Sequence, residues 1–378
     1  MKIACITTSR IPSNTANSIQ VMKVCQALFH LGNDVRLWVP EFESTNWSEL
    51  AEIYGLQDEF QITWLPFQRS FKQYDFCWKA VQAAKQWGTD VVYTWALQAA
   101  VFGLWKRNAT VMEFHDYPMG KFGPHLFRIF MKLPGNRLIL STTRALVNGL
   151  EKRYQLSIPE QILQIAPNGS EVERYLNLPN PSQTRKLLAI DDRLTVVYSG
   201  HFYQGRGVEL LLEIAQALPK IRFLWVGGRT EDVQPWKEKL QRLDIHNVVL
   251  TGFIPNSRLP LYQAAADILL MPYAKKISGS SGGDISEVIN PMKMFDYLSA
   301  GRAIIASEIP VFREILNTNN AVFCEPENPA AWVSAIQKLA GDATLRKRLG
   351  KQAQLDAQRY SWKKRAENTL KKLHALMV

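Results

Sequence analysis

Cysteine is scarce, with Cys5, Cys25, Cys77 and Cys324 the four in 378 residues. None stands in a CxxC or other metal-ligand spacing, and most lie inside apolar stretches, so a zinc ribbon or a disulfide framework is excluded and reduced core thiols are expected. No apolar run approaches the roughly 18 to 20 residues that cross a bilayer. The opening MKIACITTSRIPSNT also lacks the long apolar core of a secretory signal, which gives a cytoplasmic location as the expectation. A G-x-x-x-x-G-K-[ST] phosphate loop, a nucleophile elbow and a metal-holding D-x-D sequence are all missing. Any bound phosphate must then be neutralised by side chains and helix ends, and no metal is expected.

What is present is typical of an ordinary globular chain. Hydrophobic residues make up 47% and charged residues 21%, and the length exceeds what one core usually supports, so two domains are the expectation. The net charge is +11. Residues 1–180 hold 18 Lys+Arg against 15 Asp+Glu, and residues 181–378 hold 27 against 19, so most of the excess lies late, around Arg346, Lys347, Arg348, Lys363, Lys364 and Arg365. Such a surplus attracts anions without choosing among them. The basic residues form no recognised motif with aromatic platforms, which argues against nucleic acid.

Short β-rich runs alternate with helical patterns, as in parallel βαβ units. The first half predicts strands at Lys2 to Thr8, Asp34 to Val39, Gln61 to Leu65, Asp90 to Thr94, Thr110 to His115, Arg137 to Thr142 and Ile162 to Pro167. Helices are clearest at Ser18 to Leu31 and Tyr74 to Trp87. The polar stretch Asn177 to Lys186 reads as a linker, dividing domains 1–176 and 177–360, with 361–378 a closing helix that could return to the first domain. The second half predicts strands at Leu194 to Ser199, Ile221 to Val226, Asn247 to Leu250, Asp267 to Pro272, Arg302 to Ser307 and Ala321 to Cys324. Ligands of doubly wound sheets bind at strand carboxyl ends, so a cleft between the domains is the expected site.

The strongest chemical signal is NPMKMFDYLSAGRAIIAS, Asn290 to Ser307. Asn290 suits an N-cap and Pro291 a first helical position, which predicts a helix start whose free amides could bind phosphate. Lys293 adds charge in the first turn, and Asp296 follows at i+3, where it could accept from ribose hydroxyls. A capped surface helix with a solvated Lys and Asp is the alternative. The preceding SGSSGGDISEV, Ser278 to Val288, reads as a binding loop or a flexible surface loop. In YSGHFYQGRG, Tyr198 to Gly207, the glycines permit a tight turn and Arg206 offers a forked cation for a diphosphate, though a purely structural turn is equally compatible. In the first half, the loop Ser9 to Gln20, with Asn14, Asn17 and Ser18, and the strand end carrying His115 and Asp116 fall at one rim. A His beside an Asp there could position a sugar or move a proton, or be structural.

Together these segments resemble family four of the retaining glycosyltransferases over nearly the whole chain. PMKMFDYLSAGRAIIAS, PVFREIL (Pro310 to Leu316), the NGS at Asn168 to Ser170 and the glycine turn carry the likeness. The resemblance implies an α/β, GT-B fold of two doubly wound Rossmann-like domains facing a central cleft, with C-terminal helices packing back across them. It implies transfer of a sugar from a nucleotide diphosphate donor to a saccharide or lipid-linked acceptor, with retention and without a metal. By likeness Arg206 holds the diphosphate and Lys293 assists. Gly200 and His201 sit at the turn's first glycine, where the family often has a stronger cation than His. Asp296 replaces the usual ribose-binding Glu. Val288 occupies the place of another family Glu, with Glu287 beside it, and His115 matches a His near the transferred sugar. Asn290 and Pro291 complete the expected donor set. A nucleotide-sugar epimerase of the same architecture and a non-catalytic nucleotide-sugar-binding protein are the competing readings.

One segment suits a different partner. In KFGPHLFRIFMK, Lys121, His125, Arg128 and Lys132 form a stripe beside Phe122, Phe127, Ile129, Phe130 and Met131, a pattern for peripheral contact with an anionic membrane or for a core helix with a basic edge.

Overall fold

In the computed structural model the described residues are 1–279 and 283–377. They divide into two compact units, Met1–Asn168 with Trp362–Val378, and Gly169–Ser361.

The first unit is built on strands β1 (Lys2–Ile6), β2 (Asp34–Pro40), β3 (Gln61–Leu65), β4 (Val91–Thr94), β5 (Ala109–Phe114), β6 (Arg137–Ser141) and β7 (Leu163–Ile165). Between them run helices α1 (Ala16–His30), α2 (Trp47–Tyr54), α3 (Tyr74–Trp87), α4 (Leu97–Trp105), α5 (Gly123–Lys132) and α6 (Arg144–Tyr154). All strands are parallel, in the order β3-β2-β1-β4-β5-β6-β7, with Ile6 in register with both Trp38 and Thr94. Helices cover both faces, which is why β4 and β6 read as continuous apolar runs and are buried throughout. The strand order reverses at β1, and the crevice beyond its carboxyl end is where such sheets bind ligands.

The second unit starts earlier than the predicted linker. Asn177–Lys186 lies inside it and forms most of α7 (Pro181–Leu187). Asn180 accepts from the Gln183 amide at 2.9 Å while Gln183 reaches back to the Asn180 amide, and Pro181 opens the helix. Its Pro and Asn are therefore helix-start chemistry rather than a spacer. The buried Arg185 then pairs with Asp192 at 2.6 Å and Asp267 at 2.9 Å, tying the helix to the sheet.

That sheet contains β8 (Thr195–Ser199), β9 (Arg222–Val226), β10 (Val248–Leu250), β11 (Ile268–Met271), β12 (Ala303–Ser307) and β13 (Ala321–Cys324). Its helices are α8 (Val208–Ala217), α9 (Thr230–Arg242), α10 (Leu259–Ala264), α11 (Met292–Ala300), α12 (Pro329–Gly341) and α13 (Ala343–Ala357). The parallel order β10-β9-β8-β11-β12-β13 places the reversal at β8, between β9 and β11. Trp225 and Trp332, fully buried, anchor the core.

The last helix, α14 (Trp362–Met377), belongs to the first unit. Trp362, Arg365, Ala366, Thr369 and Leu373 are its buried residues, a stripe at helical spacing. All four cysteines are free and buried.

Candidate functional site

At the reversal point of the second unit, the turn after β8 and the segment after β11 are pressed together. Gly207, at φ +77°, caps α8, and a side chain on it would collide with the Pro272 carbonyl. The Ala274 amide donates to the Gly205 carbonyl at 3.0 Å. Gly200 has φ +145°, and a Cβ there would come within 2.5 Å of Lys293 Nζ. Only glycine lets the backbone lie against that ammonium.

Two cations share the aromatic floor of this corner. Lys293 Nζ stands 4.0 Å over the Tyr198 ring and 5.4 Å from Tyr273, and the Arg206 guanidinium lies 5.1 Å over Tyr273. Both tyrosines are buried, and Tyr198 donates to the His201 carbonyl at 2.7 Å. Burial and then Arg206 push the Lys293 ammonium well below its ordinary range. Two like charges held over aromatic rings make a place where an anion would be stabilised. Tyr198 and Tyr273 have no role in the sequence reading. The only signal was an aromatic residue directly flanking each glycine-rich or proline-bounded strand end.

The helix that carries Lys293 starts one residue later than predicted. Pro291, with ψ 131°, is the N-cap and Met292 the first helical residue, so Asn290 is not the cap. Proline's fixed φ fits either position, and here its carbonyl takes the Met294 amide at 3.1 Å. Pro291 has no side chain that could accept from the first amides, which belong to the helix end that carries Lys293. Gly301, at φ 63°, ends the helix as expected. Asp296, half-buried, lies against Tyr175, whose phenol is pushed well above its usual range by burial and then by Asp296. Tyr175 donates to Gln263 at 2.8 Å, Gln263 to Ser199 Oγ at 3.2 Å, and Ser199 bonds Tyr297. This relay ties Asp296 to the end of β8.

Around it, His201 stacks on Tyr203 at 4.8 Å, and Asn290 is buried. Glu287 is exposed, while Val288 is buried with its amide on Ile285. The Ser278 to Val288 loop is described only on its flanks, because Ser280, Ser281 and Gly282 lie outside the described residues. Asp284 holds the flanks together by accepting from the Ile277 and Ser286 amides.

In the first unit, His115 leaves the end of β5 half-buried, its Nε2 2.6 Å from Glu113 Oε1. Residues i and i+2 of a strand share a face, which sets the two side by side. Glu113 is fully buried and pairs with Arg365 of α14 at 2.6 Å. Burial alone would raise its pKa, but Arg365 and His115 outweigh it and hold the carboxyl at about 2. Burial works against the Arg365 charge too, and Glu113 and Tyr93 more than offset it. Burial raises the Asp116 carboxyl, which accepts from the Tyr117 amide at 2.7 Å.

The loop after β1 leads directly into α1. Asn17 and Ser18 lie within the first turn of α1, which begins at Ala16 with Thr15 as N-cap. Ser18 is buried, and its hydroxyl donates to the Ser13 and Thr15 carbonyls at 2.9 Å each. It holds the loop's shape. Asn14 is half-buried and Asn17 exposed.

Residues 193–342 match the family model described as "Glycosyl transferases group 1". The chain is 22% identical over 187 residues to the putative teichuronic acid biosynthesis glycosyltransferase TuaH of Bacillus subtilis, covering 50% of this chain and 45% of that protein. It is also 22% identical over 178 residues to the alpha-galactosylglucosyldiacylglycerol synthase of Streptococcus pneumoniae, covering 45% and 44%. The chain thus spans about half the length of the curated relatives it matches. The crystal structure of Anabaena Alr3699/HepE in complex with UDP superposes with a TM-score of 0.75 at 17% identity, over 99% of this chain and 100% of that one. The fold is of the GT-B type, with two Rossmann-like units. Within the matched residues 193–342 lie Gly200, His201, Arg206, Glu287, Asn290, Pro291, Lys293 and Asp296, whereas His115 and Asp116 belong to the first unit.

Proposed function

We propose that the protein is a family four retaining glycosyltransferase that moves a hexose from a nucleotide diphosphate sugar to a saccharide or lipid-linked acceptor without a metal. The observation that carries this reading is the pair of cations, Arg206 and Lys293, set over Tyr273 and Tyr198 at the start of α11. Negative charge grows on the leaving diphosphate as the glycosidic bond breaks, and preorganised donors aimed at that charge lower the barrier. Arg206, Lys293 and the first α11 amides supply them, which replaces a divalent ion. The departing phosphate oxygen takes the acceptor proton on the same face of the sugar, so retention needs no enzymic nucleophile. Asp296, held by Tyr175, accepts from the ribose. His115 hydrogen-bonds a sugar hydroxyl and is not the general base. The exposed basic edge of α5 supports contact with an anionic membrane surface, where a lipid-linked acceptor would reside.

Purified protein incubated with UDP-, GDP- and ADP-sugars in EDTA tests this. Acceptor-dependent release of nucleoside diphosphate is expected, with a product of the donor's anomeric configuration by NMR. Turnover lost in EDTA and restored by magnesium or manganese would overturn metal independence. An inverted product would remove the retaining mechanism, and an epimerised nucleotide sugar formed without acceptor would replace transfer with epimerisation.

A further inference from the structure

Three donors converge on one carboxylate oxygen beneath His115. Glu113 Oε1 lies 2.6 Å from His115 Nε2, from Gln20 Nε2 of α1 and from Arg365 Nη2 of α14. Glu113 Oε2 accepts from the Tyr93 phenol. Arg365 is itself fixed, its Nε donating to the Pro167 carbonyl at 2.9 Å and its Nη2 to Ala166 at 3.1 Å. With Gln20, Tyr93 and Arg365 all donating, Glu113 is an acceptor only, so the ring nitrogen facing it must carry the hydrogen.

We propose that Glu113, braced by Arg365 and Gln20, is a positioning residue that locks neutral His115 in its Nε2–H form and leaves Nδ1 as the acceptor for a sugar hydroxyl. The side chain of His115 is 28% exposed while that of Glu113 is wholly buried, so the ring is reachable and its anchor is not. Arg365 has a defined part in this. A buried carboxyl without a cation tends to take up a proton, and a protonated Glu113 could donate to Nε2, which would move the ring hydrogen to Nδ1. The low pKa of Glu113 agrees with a carboxylate that stays an acceptor. Asp116, next in the chain and accepting from the Tyr117 amide, is the other charged group beside the ring.

The choice of a sugar hydroxyl as ligand rests on the proposed glycosyl transfer, whereas the lock itself does not. The test uses the full-length chain labelled with ¹⁵N-histidine and long-range ¹H–¹⁵N correlation, with the His115 signal among six histidines assigned through His115→Gln. The neutral ring is expected to show the Nε2–H form alone. In the double variant Glu113→Gln/Arg365→Met, which removes both charges so that neither is stranded, both tautomers are expected. The same variant should lower kcat/KM for transfer roughly 5- to 10-fold, the worth of one misplaced hydrogen bond, with UDP affinity unchanged. A wild-type ring carrying hydrogen on Nδ1 overturns the proposal, as does a folded double variant that keeps the Nε2–H form alone. The wild-type spectrum decides even if the variant fails to fold. The expected tautomers without any sugar transfer would leave the lock standing and remove the enzymatic reading instead.

Discussion

Lys293 is a cation whose charged form is disfavoured by burial and by Arg206. Its folded pKa lies below the unfolded value because of burial and Arg206, so between those two values the unfolded chain binds more protons and stability rises with pH. A bound diphosphate reverses the balance by favouring the ammonium. Lys293→Met should therefore raise Tm, on the order of 2–4 °C for about 1 kcal/mol, while weakening nucleoside diphosphate binding roughly 10- to 100-fold, the range for hydrogen bonds to charged groups. Calorimetric titration with UDP and a thermal melt on one sample check both, and unchanged affinity would place the phosphates elsewhere. Arg206 and Asp296 should fail differently. An interaction that strengthens only in the transition state lowers kcat, and one present equally in ground and transition states raises KM. Arg206→Ala should depress kcat about 100-fold or more, whereas Asp296→Asn should chiefly raise KM for the donor.

Among the elements, α5 is divided between core and surface. Phe127 and Phe130 are fully buried, Phe127 packing edge-on against Phe114 at 5.4 Å and Tyr154 at 5.2 Å, so the apolar side read from the sequence is partly core. Phe122 and Ile129 remain about half exposed beside Lys121, His125, Arg128 and Lys132. Sedimentation with anionic vesicles should show binding that weakens from low to moderate salt, and Phe122→Ser/Ile129→Ser should reduce it at both. Binding equal for neutral and anionic vesicles would argue against the basic edge. Helix periodicity could not say which aromatics turn inward, because that depends on β5 and α6 lying beneath. The strands were legible for the opposite reason, since a strand buried on both faces is mostly apolar along its length and needs no partner to be recognised. The one-residue offset at Pro291 arises because proline suits both candidate positions. Tyr198 and Tyr273 stayed silent because an aromatic at a strand end looks the same whether or not a cation sits over it.

For the molecule as a whole, the hidden contact is Glu113 with Arg365, 252 residues apart. Glu113 reads as a strand residue and Arg365 as one of several basic residues in the closing helices; no local pattern joins them. A chain stopped at Ser361 would leave the Glu113 carboxylate buried without its cation, a loss of about 3–5 kcal/mol, and would uncover the apolar stripe of α14's docking face. Hydrogen exchange on the shortened chain should show fast exchange confined to residues 1–168, with residues 169–361 protected as before. Protection retained in both regions would show that α14 is dispensable. The same discontinuity orders synthesis in time. A ribosome delivers Met1–Asn168 first, and such a segment would ordinarily complete its fold while the rest is made. Here the segment that completes it, Trp362–Val378, emerges only after Gly169–Ser361, so the second unit can finish folding before the first, and the first unit must wait, with its acidic keystone open to water, for an arginine made after the whole of the second unit.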